Sequence, residues 1–231
     1  MLKVKSARLN ETFGKVKVIA NICSIQSRDF CVIASNCTGT LPYRFLNLPY
    51  NTPTVNLFLF APCYLKFVRH LDYYLSIPLV FNPKSRYKQG EKIRDGYQHH
   101  YPIGTLDDIE VHFMHYHDET DARDKWERRK QRINGSNMTL AMTDKDLFTP
   151  ELLYEFDELD YPNKYVLTAK HWPDIKSAIH VPSFAGQSEI GDCYTHYGHL
   201  SQVDFRRIID GGQADLSRAR ELPQPALYVA Q

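Results

Sequence analysis

From Phe30 onward, short apolar runs alternate with amphipathic segments in a repeated strand-then-helix order, and this alternation confines the chain to an α/β architecture. Residues 30–35 (FCVIAS) read as a buried strand, and the turn at 36–40 leads into a short helix with Pro42 at a permitted first-turn position. Residues 54–58 read as a second strand. Pro62 then opens a helix running to Leu75, with Leu65, Val68, Leu71 and Leu75 on its apolar face. A third strand is expected at 79–81, followed by a polar, basic stretch at 82–100 that lacks periodicity and reads as a mobile loop. Residues 109–116, 119–132 and 138–142 read as strand, helix and strand, a unit expected to be parallel and right-handed. Thr149 is placed to cap a further helix, with Pro150 at its first position and Glu151 favouring the dipole. A strand at 164–168 and a short helix at 203–209 complete the pattern, with no internal repeat.

The expected fold is therefore a single α/β domain with a mainly parallel central sheet flanked by helices. Residues 1–29 read as an N-terminal extension or edge element, 30–210 as the core domain, and 211–231 as a loosely ordered, proline-containing tail. A chain of 231 residues that is 43% hydrophobic has enough apolar material for one continuous core. Its formal net charge of +1 gives no support to broad electrostatic binding of nucleic acid. The apolar stretch at 18–25 is interrupted by Asn21 and preceded by Lys15 and Lys17, so it does not read as a secretory signal. No run approaches the roughly 20 apolar residues of a membrane-spanning helix. A cytoplasmic location is expected, with peripheral contact to membrane machinery left open. Cys23, Cys31, Cys37, Cys63 and Cys193 are odd in number and lack C-x-x-C spacing, which argues for free thiols over a disulfide framework or structural zinc. Cys23, Cys31 and Cys63 read as core.

Residues 112–134 (HFMHYHDETDARDKWERRKQRIN) place three histidines on the expected strand just before a cationic helix. Period-two geometry sends His115 and His117 to one face with Val111 and Phe113, and His112 to the other with Met114 and Tyr116. On the helix, Trp126, Arg129 and Ile133 share a face beside a stripe of Lys125, Arg128 and Arg132. Lys125, Arg128, Arg129 and Arg132, with His112 and His117, are candidate substrate-binding residues, since arginine's planar fork suits phosphate or carboxylate. The alternative is a solvated face paired with Asp121, Asp124 and Glu127. The histidine pattern also suits a metal, but no second compact ligand set accompanies it and none is assigned. There is no P-loop and no dinucleotide-binding glycine pattern, and the cofactor stays unknown.

Cys37 lies in S-N-C-T-G-T between strand and helix, where α/β sheets place their ligands. A helix N-terminus and an imidazolium can acidify such a thiol into a nucleophile. His115 is the expected partner, near the C-terminal end of a strand assigned to the same sheet. Asn36 and Asn56 are candidates to orient that histidine or to donate to an oxyanion. The plain alternative for Cys37 is a small buried residue in a tight turn.

These segments together resemble an uncharacterised bacterial family associated with exopolysaccharide and capsule biosynthesis, whose members carry patterns such as S-N-N-C-x-G-G and K-W-x-R-R-x-x-R-I-N. The matching stretches are SNCTGT at 35–40, TPTVNLF at 52–58, YPIGTLDDIEVHFMHY at 101–116 and KWERRKQRIN at 125–134. FDELDYPNK at 156–164 and DIKSA at 174–178 add to the likeness. A looser similarity to papain-like cysteine proteins, in the order cysteine, histidine, arginine-bearing helix, supports pairing Cys37 with His115. Ser35 and Thr40 depart from the family pattern, standing for an asparagine and a glycine; if the loop must approach a substrate closely, Thr40 is the departure that matters. The resemblance implies the context of surface-polysaccharide assembly; the expected activity, read from the residues within that context, is an acyl or glycosyl transferase acting on a sugar or phosphate-linked sugar through a Cys-His site, with cysteine hydrolase-like chemistry also open. Its rivals are a nucleotide-sugar glycosyltransferase without covalent catalysis and a noncatalytic glycan-binding or assembly protein.

Overall fold

A computed structural model of the chain describes residues 2–211. In chain order the elements are α1 (Leu2–Cys23), β1 (Cys31–Ala34), a 3-10 turn (Cys37–Thr40), α2 (Leu41–Leu46), α3 (Ala61–Arg69), α4 (Leu71–Ser76) and β2 (Val80–Asn82). They continue with α5 (Lys88–Asp95), β3 (Ile103–Leu106), β4 (Ile109–His112), α6 (Glu119–Lys130), β5 (Met138–Thr143), α7 (Pro150–Asp157), β6 (Asn163–Thr168), β7 (Ala178–His180) and α8 (Phe205–Asp210).

Strands β1, β5, β6 and β7 form one wholly parallel sheet in the order β1-β5-β6-β7. Its central strand is buried along its whole length because successive side chains enter different cores. Leu140 and Met142 pack with Cys31, Ile33, Val166, Tyr64 of α3, Trp126 of α6 and Phe156 of α7. Ala141 instead joins Val32, Tyr165, Val18 and Ile22 of α1, Tyr43 of α2 and Ile208 of α8. The expected fold class is thus observed, with helices on both faces of a parallel sheet. A smaller antiparallel sheet, β2-β3-β4, packs into the first of these cores through Leu106, Ile109 and Val111. Among the described residues no helix is long and apolar enough to cross a membrane.

Several expectations are corrected. The histidine strand ends at His112 and pairs antiparallel with β3, so 109–142 is not a parallel βαβ unit. A local hairpin decides this: Leu106 pairs with Ile109 across Asp107 and Asp108, and Asp107 adopts the left-handed conformation (φ 54°) that short polar residues tolerate. Residues 54–58 form no strand of their own; they run as a connecting segment whose bridge is Phe58 to His112. The helix expected from Pro62 to Leu75 breaks at His70 (φ −128°, ψ 46°) into α3 and α4. The stretch at 82–100 is not simply a loop, for it contains α5 and is tied to the small sheet. Cys31 and Cys63 are buried, whereas Cys23 is exposed.

The expected extension at 1–29 contains α1, whose Val18 and Ile22 enter the second core. The expected tail lies, from residue 212 on, outside the described residues. Helix α1 docks backbone to backbone on the turn at Tyr197–Leu200. A Cβ on Gly14 would overlap the Gly198 carbonyl, and one on Gly198 would overlap the Glu11 carbonyl. Gly14→Ala is therefore expected to cost about 1–3 kcal/mol, read as a lower denaturant midpoint. Gly135→Ala, with nothing within 4 Å of its added carbon, should stay within about 0.5 kcal/mol of the parent. Equal midpoints for the two variants would disprove the close approach.

Candidate functional site

The C-terminal end of the parallel sheet is closed by the segment 55–59. On one side the Leu59 amide donates to the Ser35 carbonyl (2.9 Å), just beyond β1. On the other, Phe58 and His112 exchange backbone hydrogen bonds (3.0 and 2.9 Å), and the His115 amide donates to the Asn56 carbonyl (3.1 Å). Asn56 takes up the left-handed conformation (φ 60°) at this junction. The connection sets the Cys37 turn and the His115 turn on the two flanks of one short segment, although they follow strands of different sheets.

Cys37 is partly exposed, and its thiol is directed at the Leu57 carbonyl (3.9 Å). Burial pushes the thiol up to about 11, the Asp192 carboxylate adds to the rise, and backbone groups of Asn56, Cys37 and Leu57 offset only part of it. The resting sulfur is a neutral thiol and not the acidified thiolate expected from its address. Among the described residues it makes no direct hydrogen bond to an imidazole. Asn36 is engaged elsewhere: its Oδ1 accepts from the Thr38 amide (3.1 Å) and its Nδ2 donates to Thr143 Oγ1 (2.8 Å), which ties the β1 turn to the end of β5. Asn56 meets His115 through backbone alone.

His115 faces an open cleft of about 310 Å³ lined with His99, Tyr116 and His117. Its Nδ1 lies 2.7 Å from the hydroxyl of Tyr97. Burial lowers the imidazole's pKa and the neighbouring His99 lowers it further, so the ring is neutral near pH 7. Tyr97 is held up as a phenol by burial and then by the nearby Cys37. Tyr97 thus bonds to His115 while standing within electrostatic reach of the Cys37 sulfur. No signal in the sequence marked it, because a lone tyrosine in an aperiodic polar stretch resembles any other.

The remaining candidates separate by environment. His112 is fully buried and bonded to Glu110, away from the cleft. His117 is exposed beside Asp118 (3.2 Å). Trp126 is fully buried, which makes it the anchor of α6. Arg129 is buried with it and donates to Tyr116 Oη (2.6 Å), which in turn donates to the Val55 carbonyl (2.6 Å). Lys125 pairs with Asp121 (2.7 Å) and lies over the Tyr116 ring (5.3 Å). Arg128 and Arg132 are exposed, and neither forms an ion pair among the described residues. The cationic helix therefore reaches the cleft through Tyr116, not as one uniform stripe. Among the described residues, no group of three or more His, Cys, Asp or Glu side chains could hold a metal ion.

Asp146 is a residue the sequence reading missed. It lies just past β5, its carbonyl accepts from the Ala61 amide at the start of α3 (2.8 Å), and its carboxyl has no hydrogen-bond or ion-pair partner among the described residues. Asp144 differs, with its oxygens taken by the amides of Ile190 (2.8 Å) and Ala169 (2.6 Å). Asp146 and Leu147 are both left-handed (φ 59° and 66°), strain of the kind stored at functional sites. Burial pushes the Asp146 carboxyl up to about 6. Its D-K-D-L setting after an apolar strand was the available signal.

The family model described as "Domain of unknown function (DUF1919)" matches residues 8–210 of this chain. An uncharacterized protein of Haemophilus influenzae is 36% identical over 186 residues, covering 78% of this chain and 84% of the relative.

Two measurements test this electrostatic picture. Alkylation at pH 7.5 followed by intact mass and peptide mapping should label exposed Cys23 before Cys37; faster labelling of Cys37 would show a thiolate that burial does not permit. For Asp146, a carboxyl raised from 3.8 to about 6 costs the folded state up to about 3 kcal/mol once ionised. Because the folded value lies above the unfolded one, stability should fall as pH rises from about 4 to about 6 and then level off. Asp146→Asn should flatten that slope and be more stable than the parent at pH 8 in chemical denaturation; a less stable variant would reveal a partner for the carboxylate.

Proposed function

The chain belongs to the DUF1919 family, and from the chemistry of its site we propose that it is a transferase of bacterial surface-polysaccharide biosynthesis acting on a sugar or phosphate-linked sugar. The observation that carries the reading is His115: a neutral imidazole, fixed at Nδ1 by Tyr97, facing an open cleft. An imidazole held neutral is free to accept a proton from an acceptor hydroxyl. The polysaccharide context, whether exopolysaccharide or capsule, rests on the motif resemblance of residues 35–40, 52–58, 101–116 and 125–134. In this reading His115 takes the hydroxyl proton at Nε2 while the freed oxygen attacks the anomeric carbon. The bond from that carbon to the phosphate oxygen breaks, and its electron pair leaves with the phosphate. Lys125, which lies over the ring of the cleft-lining Tyr116, is the side chain this reading assigns to balance the departing charge. The reading assigns the protein to the cytoplasm, with peripheral contact to membrane assembly machinery.

A second reading, covalent transfer through Cys37, is favoured by the seam at 55–59, which holds the Cys37 turn and the His115 turn on its two flanks. It requires His115 to take the thiol proton only once substrate has changed the surroundings, because the resting thiol titrates at about 11.

Wild type, His115→Ala and Cys37→Ala should be incubated with a panel of nucleotide sugars and polyprenyl-phosphate sugars, with product release followed by mass spectrometry. The expected result is turnover by wild type that falls about 10²-fold or more in His115→Ala. Retained turnover in Cys37→Ala selects the noncovalent route, whereas loss together with a sugar adduct on wild-type Cys37 selects the covalent one. Absence of turnover across the panel, or full activity in His115→Ala, would overturn the proposal.

A further inference from the structure

Glu110 and His112 form a buried pair that the cleft chemistry does not use. Their side chains are 2% and 0% exposed, and Glu110 Oε1 lies 2.7 Å from His112 Nε2. Every other hydrogen bond of the two side chains is to the strap formed by residues 83–101. At the first end of the strap, Ser85 Oγ donates to Glu110 Oε1 (2.5 Å) and the Arg86 amide donates to Glu110 Oε2 (2.9 Å). At the last end, Tyr101 Oη lies 3.3 Å from His112 Nδ1. Between these points α5 packs directly on the pair, since a Cβ on Gly90 would run into Ser85 Oγ and His112 Cε1. Tyr97 and His99, which furnish the Nδ1 contact of His115 and one wall of the cleft, lie in the span between the two attachments.

The geometry also explains why a polar pair occupies this place. Burial alone would raise the Glu110 pKa, but hydrogen bonds from His112, Ser85 and the Arg86 amide outweigh it and leave a stabilised carboxylate. A carboxylate can accept at both oxygens at once, which an apolar plug of the same volume cannot do. The imidazole, stacked on Phe58 (centroids 4.4 Å, 18°), is fixed in orientation and offers its second nitrogen to the far end of the strap. Phe58 is itself the residue that exchanges backbone bonds with His112 at the sheet junction. One pair thus joins both ends of the strap to the segment that carries the site.

We propose that Glu110 and His112 are positioning residues: a buried latch that holds the 83–101 strap so that Tyr97 stays on His115. The proposal rests on the reading of His115 as the proton-handling group, but its test needs no substrate. The imidazole titrations of the full chain should be followed by NMR in wild type, Glu110→Gln, Ser85→Ala and Tyr97→Phe, with amide exchange measured across 83–101. In Glu110→Gln the His115 midpoint should rise toward the ordinary histidine range, and exchange in the strap should quicken by tenfold or more. Tyr97→Phe keeps the ring's bulk and removes only the hydroxyl that accepts the Nδ1 proton, so it should lower that midpoint with strap exchange unchanged, which identifies Tyr97 as the strap's contact with His115. A role confined to stability would lower the melting temperature of Glu110→Gln and leave the His115 midpoint where it was; that result overturns the proposal. Should Glu110→Gln not fold, Ser85→Ala, which removes one strap bond and keeps the Glu110–His112 pair, decides in the same way. A His115 midpoint unmoved by Tyr97→Phe also overturns it. Failure of turnover in the sugar panel bears on the function of the cleft and not on these titrations.

Discussion

The two-sided use of residues 55–59 is the constraint on which the rest of the structure depends. A parallel sheet and an antiparallel hairpin have no intrinsic reason to share an edge, and here one short segment donates to the end of β1 through Leu59 and pairs with the end of β4 through Phe58. Because adjacent residues of an extended segment point their backbone groups to opposite sides, a single stretch can satisfy both neighbours and leave few orphaned groups at the junction. The Cys37 turn, the His115 turn and the start of α3 all depart from this seam. Tyr116 reinforces it by bonding Val55, and Arg129 holds Tyr116, so the buried part of the cationic helix serves the seam. Two sheets become one body with a cleft at their meeting point.

Around that cleft the protein suppresses charge. Burial raises the Cys37 thiol, lowers the His115 imidazole and raises the Asp146 carboxyl, and in each case it is the leading cause. Burial shifts all three toward the uncharged form, which leaves the thiol and the imidazole neutral near pH 7, whereas the Asp146 carboxyl, at about 6, ionises just below that pH. Such a site does not hold a resting thiolate-imidazolium pair. It is suited to take up and release protons as a reaction proceeds, because near pH 7 a neutral imidazole can accept one without first surrendering one. Glu110 behaves oppositely, kept ionised by three donors despite burial, and it is the group turned away from the cleft.

The parallel layer was legible in the sequence because its strands are continuous apolar runs, and β1, β5 and β6 lie within a residue or two of where FCVIAS, MTLAM and KYVLT put them. Thr149 caps α7 as its side chain and the following proline suggest. What failed was pairing across the chain. Apolar alternation at 109–116 looks the same whether the strand joins a large parallel sheet or folds back on β3, and only the two-aspartate turn distinguishes them. The strap at 82–100 was illegible for another reason: α5 buries Gly90 and is held by Ser85, Arg86 and Glu110, and polar anchors leave no hydrophobic period. At the site, Cys37 and His115 could be chosen by residue type. Tyr97 is defined by what surrounds it, which no spacing rule contains, and Asp146 offered only its D-K-D-L setting after an apolar strand.

Ser35 and Thr40, the two positions where the cysteine loop differs from the pattern it was read as resembling, take on a different weight once the turn is seen. The glycine that the loop requires is Gly39, where a Cβ would collide with the Ala34 side chain, so that this residue alone lets the 3-10 turn fold back over β1. Thr40 sits at φ −90°, a conformation open to any residue, and its hydroxyl donates to the Cys37 carbonyl (2.7 Å). A second glycine there would lose that bond and gain conformational freedom in the unfolded chain. Ser35 enters the seam through its backbone, donating to Ala141 and accepting from Leu59, and neither bond depends on its side chain. Both differences therefore fall where the geometry does not call for asparagine or glycine, and the position that lets the turn carry Cys37 to the junction holds the one residue it cannot exchange.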